Sequence, residues 1–301
     1  MGARLLLTGA SGCVGRALIA PLMARGFAVH AVARRIPPGA QGHWHAADLL
    51  DESATRALLR AIRPGVLVHC AWFVEHGTFW SAPENAAWVE ASAAMAAAFA
   101  EGGGRRFLGI GSCAEYADEA GADALPWPET RRIAPATTYG QAKAALAARL
   151  ARLPFDLAWA RLFLMFGPGE APARLVPSVA RALTEGREAR IASGRPVRDV
   201  ASTRFLGEAL AAVAASGVTG PVNVASGEGR TLAHVARLLA RAAGREDLLR
   251  LGALPDRPGE VPAMVADIGR LRREVGFADP PRVEDDLRAL VAKRISRSGS
   301  R

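Results

Sequence analysis

Short apolar runs alternate with longer stretches of helical periodicity through the first half of this chain. The apolar runs predict strands over residues 4–7, 27–33, 43–47, 66–71 and 105–111. The stretches between them predict helices over residues 12–25, 51–62 and 85–100. Strands that alternate with helices are typical of α/β proteins, so we expect a doubly wound parallel sheet with helices on both of its faces.

The alternation becomes less regular after residue 160, where prolines recur at positions 168, 172, 177 and 196. We therefore expect one domain over residues 1–165, built on the parallel sheet, and a smaller lobe suited to a substrate over residues 166–301. Some segments of the second half are expected to return to the sheet. Amphipathic patterns there predict surface helices over residues 232–243 and 283–293.

A glycine-rich turn, Thr8-Gly9-Ala10-Ser11-Gly12-Cys13-Val14-Gly15, joins the first predicted strand to the first predicted helix. The first glycine permits a tight turn, the second lets a pyrophosphate approach the backbone, and the third lets the helix pack closely on the strand. The start of the helix also favours an anion through its free N–H groups and its dipole. Glycines serve ordinary turns as well, but this position favours nucleotide binding. The expected cofactor contacts are Gly9, Ser11, Gly12, Cys13, Val14 and Gly15.

The second predicted strand ends at Arg34-Arg35, with no aspartate or glutamate beside them. In dinucleotide-binding folds an acidic residue at this place binds the adenosine 2′-hydroxyl and selects NAD, whereas arginine suits the 2′-phosphate of NADP. Arg34 and Arg35 therefore favour NADP as the cofactor, with NAD as the alternative. The other interpretation of the two arginines is that they are solvated loop charges.

The chain has 301 residues and a formal charge of +9, and half of its residues are hydrophobic, which is enough for a sizeable core. The last nine positions hold four basic residues: Lys293, Arg294, Arg297 and Arg301. We interpret them as a solvated terminus rather than a nucleic-acid contact, and the basic body suits an anionic small substrate. No signal peptide and no uninterrupted apolar stretch of membrane-spanning length is visible, so we expect a cytoplasmic protein without a membrane partner.

The three cysteines, Cys13, Cys70 and Cys113, are scattered along the chain. Each lies beside a predicted strand end, and their spacing is not that of metal ligands. We therefore expect reduced thiols that pack in the core or line a site, and no metal centre.

Three side chains indicate proton transfer at a carbinol oxygen. Ser112 ends the fifth predicted strand, and Tyr139 and Lys143 open a later helix four residues apart, which puts both on one helix face. A lysine ammonium beside a phenol lowers the pKa of the phenol, and such a tyrosine can exchange a proton with the substrate. A surface pair has the same spacing by chance, but the chain contains only two tyrosines, Tyr116 and Tyr139.

The segment after the fourth predicted strand, residues 72–83, is rich in aromatic side chains and contains Glu75 and His76. Glu75 and His76 are candidate substrate contacts or an additional acid–base pair. The simpler interpretation is that they are polar loop residues facing water. The aromatic side chains either line a sugar pocket or hold the loop in place: Trp72, Phe73, Phe79 and Trp80.

Taken in order, these segments resemble the extended short-chain dehydrogenases/reductases of the NAD-dependent epimerase/dehydratase family over nearly the whole chain. The family's glycine turn corresponds to residues 8–15, its catalytic serine segment to residues 111–116, and its Tyr-x-x-x-Lys pair to Tyr139 and Lys143. Further matches are Asp48-Leu49, His69-Cys70-Ala71, residues 161–169 with Phe166 for the usual tyrosine, Arg198-Asp199, residues 223–227 and Arg257-Pro258-Gly259-Glu260. The resemblance implies a Rossmann fold and a nucleotide-diphosphate sugar as substrate.

The resemblance also implies roles for these residues. Tyr139 is the acid/base, Lys143 lowers its pKa and binds the nicotinamide ribose, and Ser112 orients the reacting oxygen. Hydride passes between the cofactor and a sugar carbon. Further cofactor contacts are expected from Asp48, Leu49, Cys70, Ala71, Trp72, Tyr139 and Lys143. Arg198 and Arg257 are expected beside the substrate diphosphate, although Val200 replaces the aromatic residue that usually follows Arg198-Asp199.

Two departures from the family pattern bear on the reaction. Relatives that remove water carry Asp-Glu directly after the catalytic residue, whereas Cys113-Ala114 follow Ser112 here. Relatives of the fucose-synthase type carry a cysteine acid two residues after the serine, whereas Cys113 follows directly. We therefore expect an NADP-dependent oxidoreductase that reduces a 4-keto-6-deoxyhexose carried on a nucleotide diphosphate.

Two other functions stay open. One is a redox-neutral nucleotide-sugar epimerase with tightly bound NAD, and the other is a non-catalytic NADP-binding regulatory protein, which would commonly lack the tyrosine or the lysine. Net charge alone is a weak reason to expect a nucleic-acid partner. Family members commonly dimerise through two long helices, so the resemblance implies a homodimer that uses residues 85–100 and 139–152.

Overall fold

A computed structural model describes residues 2–118 and 126–298, so Arg301 of the basic tail lies outside the described residues. The strands are β1 (Arg4–Thr8), β2 (Ala28–Ala33), β3 (His43–Ala46), β4 (Val66–His69), β5 (Arg106–Ser112), β6 (Asp156–Leu162), β7 (Leu164–Phe166), β8 (Ala189–Arg190), β9 (Val197–Ser202), β10 (Gly220–Val224), β11 (Gly229–Thr231), β12 (Leu249–Arg250) and β13 (Ala263–Met264). The helices are α1 (Cys13–Ala24), α2 (Glu52–Ile62), α3 (Glu84–Glu101), α4 (Thr138–Leu150), α5 (Leu175–Thr184), α6 (Thr203–Ala215), α7 (Leu232–Ala243), α8 (Gly269–Arg273) and α9 (Val283–Ser298).

A seven-stranded sheet forms the centre of the molecule, with the strand order β10-β6-β5-β4-β1-β2-β3. Every neighbouring pair in this sheet is parallel. Helices α1 and α6 pack on one face, and α2, α3 and α4 pack on the other. The central strands are apolar without alternation because both of their faces are buried, as Leu5, Leu6 and Leu7 of β1 illustrate. The predicted doubly wound parallel sheet is therefore confirmed.

The second half of the chain builds a smaller lobe and also returns to the sheet. Strands β7, β9, β11 and β13 form a four-stranded sheet, and α5, α7 and α9 enclose an apolar core beside it. Strand β10 pairs with β6 in the large sheet, and α6 packs against α1. The two halves are therefore interleaved.

The strand order reverses between β1 and β4, and open α/β sheets bind ligands in the crevice at such a point. The glycine-rich turn after β1, the loop after β4 and the end of β5 all lie at this edge. Helix α4 begins there as well, since the Thr137 hydroxyl caps it by accepting the Gly140 N–H at 3.1 Å. This cap fixes the first turn of the helix that carries Tyr139 and Lys143.

The helix limits agree closely with those expected from periodicity. Asp51 caps α2 as expected, because its carboxylate accepts the N–H groups of Ser53 and Ala54. Helix α9 extends further than the predicted 283–293. Over residues 2–118 and 126–298, no helix is both long enough and apolar enough to cross a membrane.

Candidate active site

The glycine-rich turn has the shape of a pyrophosphate cradle. Gly9 has a φ of +63°, and a Cβ there would lie 2.7 Å from the Ala71 nitrogen. A Cβ on Gly15 would lie 2.2 Å from the Gly9 carbonyl oxygen, so α1 packs on the turn at a distance that only glycine allows. No described side chain caps α1, and its first turn holds no acidic residue. The first N–H groups of α1 are therefore left for an anion, which fits the phosphates of a dinucleotide.

A buried chain of hydrogen bonds through Thr8 and His69 supports the glycine-rich turn. Thr8 Oγ1 lies 2.8 Å from His69 Nδ1 and accepts the Ala71 N–H at 3.3 Å, while His69 Nε2 lies 2.9 Å from Ser92 Oγ. Burial lowers the pKa of His69 to about 3, with the Lys143 charge acting in the same direction. A neutral His69 therefore ties β1 to β4 and fixes the backbone at Ala71, the predicted cofactor contact.

The expected ribose and adenine residues follow β2 and β3. Arg34 and Arg35 are exposed directly after β2, and no acidic residue lies beside them. Asp48 is exposed and its carboxylate accepts the Leu50 N–H at 3.1 Å, whereas Leu49 is buried. The two guanidinium groups are accessible to a 2′-phosphate.

Ser112, Tyr139 and Lys143 come together at the end of β5. Ser112 and Tyr139 are hydrogen-bonded through their side chains. Lys143 is buried, donates from Nζ to the Ile110 carbonyl oxygen at 2.8 Å, and lies 3.8 Å from the centre of the Trp72 ring. The neighbouring Cys70 thiol is half-buried, and desolvation raises its pKa to about 12. The arrangement is that of a proton donor, a hydroxyl partner and a cation in one apolar recess.

The expected effect of Lys143 on Tyr139 differs from what the structure shows. Lys143 was expected to lower the pKa of Tyr139, but burial raises the pKa of Tyr139 above its usual range, and the Ser112 hydrogen bond opposes this. The Lys143 Nζ lies 5.9 Å from the centre of the Tyr139 ring and donates to a backbone carbonyl instead. Burial also lowers the pKa of Lys143 to about 7. Tyr139 is therefore held as a neutral phenol, ready to donate a proton.

The aromatic loop after β4 closes over Tyr139. The Trp80 carbonyl oxygen accepts the Tyr139 N–H at 3.1 Å, and the rings of Phe79 and Trp80 meet the Tyr139 ring edge-on, with centroids 5.0 and 5.7 Å away. Trp80 is 44% exposed, so part of its indole faces solvent. Glu75 and His76 are exposed and their side chains contact no described residue through a hydrogen bond or ion pair. This agrees with the interpretation of these two residues as solvated loop positions.

The expected diphosphate residues come from the smaller lobe. Arg198 on β9 is 5% exposed and pairs with Glu260 at 2.8 Å. Burial is the main cause that raises the pKa of Cys113, the residue after β5, to about 12, and the Arg198 charge opposes this. Arg257 is exposed in the loop before β13, three residues from Glu260. The Arg198–Glu260 pair thus holds the Arg257 segment beside β9.

Two charged residues that the sequence pattern did not single out lie near the predicted site residues. Glu170 and Arg174 follow the 161–169 segment, and burial raises the pKa of Glu170 to about 7 while the Arg174 charge lowers it. The Arg174 guanidinium lies 5.9 Å from the Phe79 ring, and its charge acts on both Cys13 and Tyr139. Among the described residues it has no hydrogen-bond or ion-pair partner. Only their position in a proline- and glycine-rich loop marked these residues in the sequence.

The chain belongs to the NAD dependent epimerase/dehydratase family, whose model matches residues 5–225. It is 27% identical to a dTDP-4-dehydro-6-deoxy-D-allose reductase of Streptomyces bikiniensis, over 93% of each chain.

Its fold is similar to that of a UDP-N-acetylglucosamine 4-epimerase from Methanobrevibacter ruminantium M1, with a TM-score of 0.86 and 21% identity over 99% of this chain and 100% of the other. It is also similar to Bordetella bronchiseptica WbmG in complex with NAD and UDP, with a TM-score of 0.83 and 23% identity over 98% and 96%. Identities this low establish a shared fold. Among the described residues, no group of three or more histidine, cysteine or carboxylate side chains is arranged to hold a metal ion.

Proposed function

We propose that this protein is an NAD(P)-dependent oxidoreductase that reduces the keto group of a nucleotide-diphosphate 4-keto-6-deoxyhexose. The observation that carries the proposal is the meeting of Ser112, Tyr139 and Lys143 at one end of the sheet, next to the glycine-rich cradle. Function depends on the site rather than on the fold, and this site keeps every group that the chemistry needs. This favours an enzyme over a non-catalytic NADP-binding protein.

Each site residue has a separate role in the proposed reduction. A nicotinamide cofactor in the cradle would supply the hydride. Tyr139, a neutral phenol, would donate a proton to the oxygen of the keto group as negative charge develops there. Ser112 would hold that oxygen by a hydrogen bond, and Lys143 would bind the nicotinamide ribose.

Reduction is favoured over water loss because neither of the two residues directly after Ser112 is a carboxylic acid. Burial raises the pKa of the Cys113 thiol to about 12, and Ala114 has no ionisable side chain. The next carboxylate, Glu115, is fully buried and pairs with Arg161. The identity to a dTDP-4-dehydro-6-deoxy-D-allose reductase supports the same reaction class.

The proposed substrate site combines the expected residues with one new residue. Arg198 and Arg257 remain candidates for the diphosphate. Arg174 is a third, because it lies beside Phe79 of the aromatic loop and its charge acts on Cys13 of the cradle. Within residues 2–118 and 126–298 no group forms a hydrogen bond or an ion pair with its guanidinium, which leaves this group available for bidentate contact with a phosphate. The exposed indole of Trp80 would pack on the sugar ring.

A redox-neutral epimerase is the second candidate function. The solved structures of similar fold include UDP-glucose 4-epimerases, two of them with NAD bound. In such an enzyme NAD would stay bound through the reaction and Tyr139 would act as acid and base in turn. The exposed Arg34 and Arg35, with no acid beside them, favour NADP and therefore weigh against this candidate.

The deciding experiment identifies the cofactor of the purified protein. The protein is denatured, any released nucleotide is identified, and the native protein is titrated with NADPH and NADH. Empty protein that prefers NADPH supports the reductase and leads to a screen of 4-keto nucleotide sugars. Stoichiometric NAD would contradict the reductase and support the epimerase. A protein that binds neither nucleotide would support the non-catalytic alternative.

A further inference from the structure

A buried carboxylate that the proposed reaction does not use lies directly behind Ser112. Glu115 is the last residue of the 3-10 turn after β5 and is 0% exposed. Its Oε1 accepts the Ser112 N–H at 2.8 Å and the Trp159 Nε1–H at 2.9 Å. Its Oε2 accepts from Arg161 Nε at 2.7 Å. Three donors therefore hold the carboxylate, and one of them is the backbone of the residue proposed to orient the substrate.

Two glycines allow this carboxylate and its turn to fit. A Cβ on Gly111 would lie 2.5 Å from Glu115 Oε1, so only glycine leaves room for the carboxylate beside β5. A Cβ on Gly140 would lie 2.2 Å from the Ala114 carbonyl oxygen, so the turn docks against α4 between Tyr139 and Lys143. The Glu115 turn is thus packed between the strand that ends in Ser112 and the helix that carries the other two residues.

The charge of Glu115 acts on Lys143. Burial lowers the pKa of Lys143 to about 7, and Glu115 is the strongest of the groups that raise it again. The titratable groups around Lys143 are Glu115 on the turn, His69 and Cys70 at the end of β4, and Tyr139 on its own helix. Burial keeps His69, Cys70 and Tyr139 neutral near pH 7. Glu115 is therefore the described negative charge that opposes the desolvation of the lysine.

We propose that Glu115 is a positioning residue of the active site, which fixes the backbone of Ser112 through its hydrogen bond and, from the turn packed against α4, supplies a negative charge that stabilises the ammonium form of Lys143. Arg161 anchors the carboxylate from the far side. The proposal rests on the proposed function for the roles of Ser112 and Lys143. Its electrostatic part can be measured without any substrate, so the two can fail separately.

Lysine NMR tests this proposal on the full chain, because Lys143 and Lys293 are its only lysines. Protein labelled with ¹³C at the lysine ε-carbon gives two signals, and the exposed Lys293 serves as the internal reference. The Lys143 signal is expected to titrate near pH 7. In Glu115→Gln the midpoint is expected to fall by about one pH unit, because an opposite charge has been removed.

The matched control is Glu129→Gln. The Glu129 carboxylate accepts the Asn223 N–H at 2.9 Å and is not among the groups that act on Lys143. Its removal is expected to leave the Lys143 midpoint unchanged. An unchanged midpoint in folded Glu115→Gln, or an equal shift in Glu129→Gln, would overturn the proposal and leave Glu115 as a fold-stabilising ion pair only.

Glu115→Gln leaves Arg161 as a buried charge without its carboxylate partner, which can prevent folding. A second variant is designed to avoid this. Glu115→Gln combined with Arg161→Met removes both charges, and replacing a buried pair with neutral groups is commonly tolerated. The Lys143 midpoint is expected to fall in this double variant as well. A midpoint equal to that of the original protein would contradict the proposal.

Discussion

At the scale of single residues, the Tyr139 hydroxyl is the group on which the proposed chemistry depends most directly. Tyr139→Phe removes the proton donor while the ring keeps its edge-on contacts with Phe79 and Trp80. We expect kcat for ketone reduction to fall by about 10²- to 10⁴-fold, with NADPH affinity retained. Steady-state kinetics and a cofactor titration check this.

Tyr116→Phe is the matched control, since it removes the only other phenol of the chain. The Tyr116 hydroxyl donates to Asn223 Oδ1 at 2.7 Å and accepts from Arg161 Nη1 at 3.2 Å. We expect this variant to lose about 1 kcal/mol of unfolding free energy and to keep its turnover. Equal loss of turnover in both variants would contradict the role given to Tyr139.

Arg34 and Arg35 are the residues proposed to set the cofactor preference. Replacing both with alanine removes the charges available to a 2′-phosphate, while the glycine-rich cradle is untouched. We expect NADPH affinity to fall by about 10- to 100-fold, because each charge-assisted hydrogen bond contributes about 1.5 to 3 kcal/mol, and NADH affinity to change little. Isothermal titration of both nucleotides measures this, and a parallel loss for both would rule out a 2′-phosphate contact.

The buried Lys143 makes stability depend on pH. Its pKa is lowered from 10.5 to about 7, so the unfolded chain binds more protons than the folded protein between these values. The cost of burying the lysine is therefore complete below about pH 7 and is relieved as the pH rises toward 10.5. We expect Lys143→Met to be more stable than the original protein by about 1 kcal/mol at pH 6.

This advantage of Lys143→Met should shrink as the pH rises from 7 to 9, while turnover is lost at every pH. Urea unfolding of both proteins at several pH values measures the difference. A difference that stays constant with pH would mean that the lysine is not desolvated as the geometry indicates.

At the scale of elements, the junction of β1 and α1 controls the cradle. A Cβ on Gly15 would meet the backbone of Gly9 at 2.2 Å, and backbone cannot move aside as a flexible side chain does. We expect Gly15→Ala to lower the free energy of unfolding by about 1 to 3 kcal/mol and to weaken cofactor binding more than tenfold.

Gly217→Ala provides the comparison for this prediction, because no atom lies within 4 Å of a Cβ at that position. We expect it to bind cofactor normally. Thermal unfolding and cofactor titration of the two variants test whether close packing at Gly15, rather than glycine loss in general, is responsible.

At the scale of the whole molecule, helices α3 and α4 are the proposed dimer interface. The two helices pack side by side and expose several alanines: Ala86, Ala87, Ala145 and Ala148. Small side chains would allow helices of a second subunit to approach closely. We expect the sedimenting mass to be twice the 31.6 kDa of the chain.

Ala145→Arg should convert this dimer to a monomer without unfolding it, because a long charged side chain would separate the helices. The control is Ala57→Arg, an equally exposed alanine on α2. Analytical ultracentrifugation of the three proteins decides the matter. A monomeric original protein would remove the proposed interface.

Local sequence was enough to predict the order of strands and helices, the glycine-rich turn, and the placement of Tyr139 and Lys143 on one helix face. Strand burial, helix periodicity, capping and glycine turns act over a few residues, so their pattern is visible in the chain itself. The resemblance to a family then supplied the expected substrate arginines, Arg198 and Arg257. The family, the parallel sheet and the helices on both of its faces are confirmed.

Only the tertiary structure determined which groups lie beside the predicted site residues. Glu115 meets Arg161 across 46 positions and Arg198 meets Glu260 across 62, and no local pattern marks either pair. The raised pKa of Tyr139 likewise depends on burial and on charges that are distant in sequence. The hydrogen-bond partner of Lys143 and the position of Arg174 beside Phe79 depend on which elements pack together. Charges act through space and burial depends on every neighbouring element, so these properties exist only once the chain is folded.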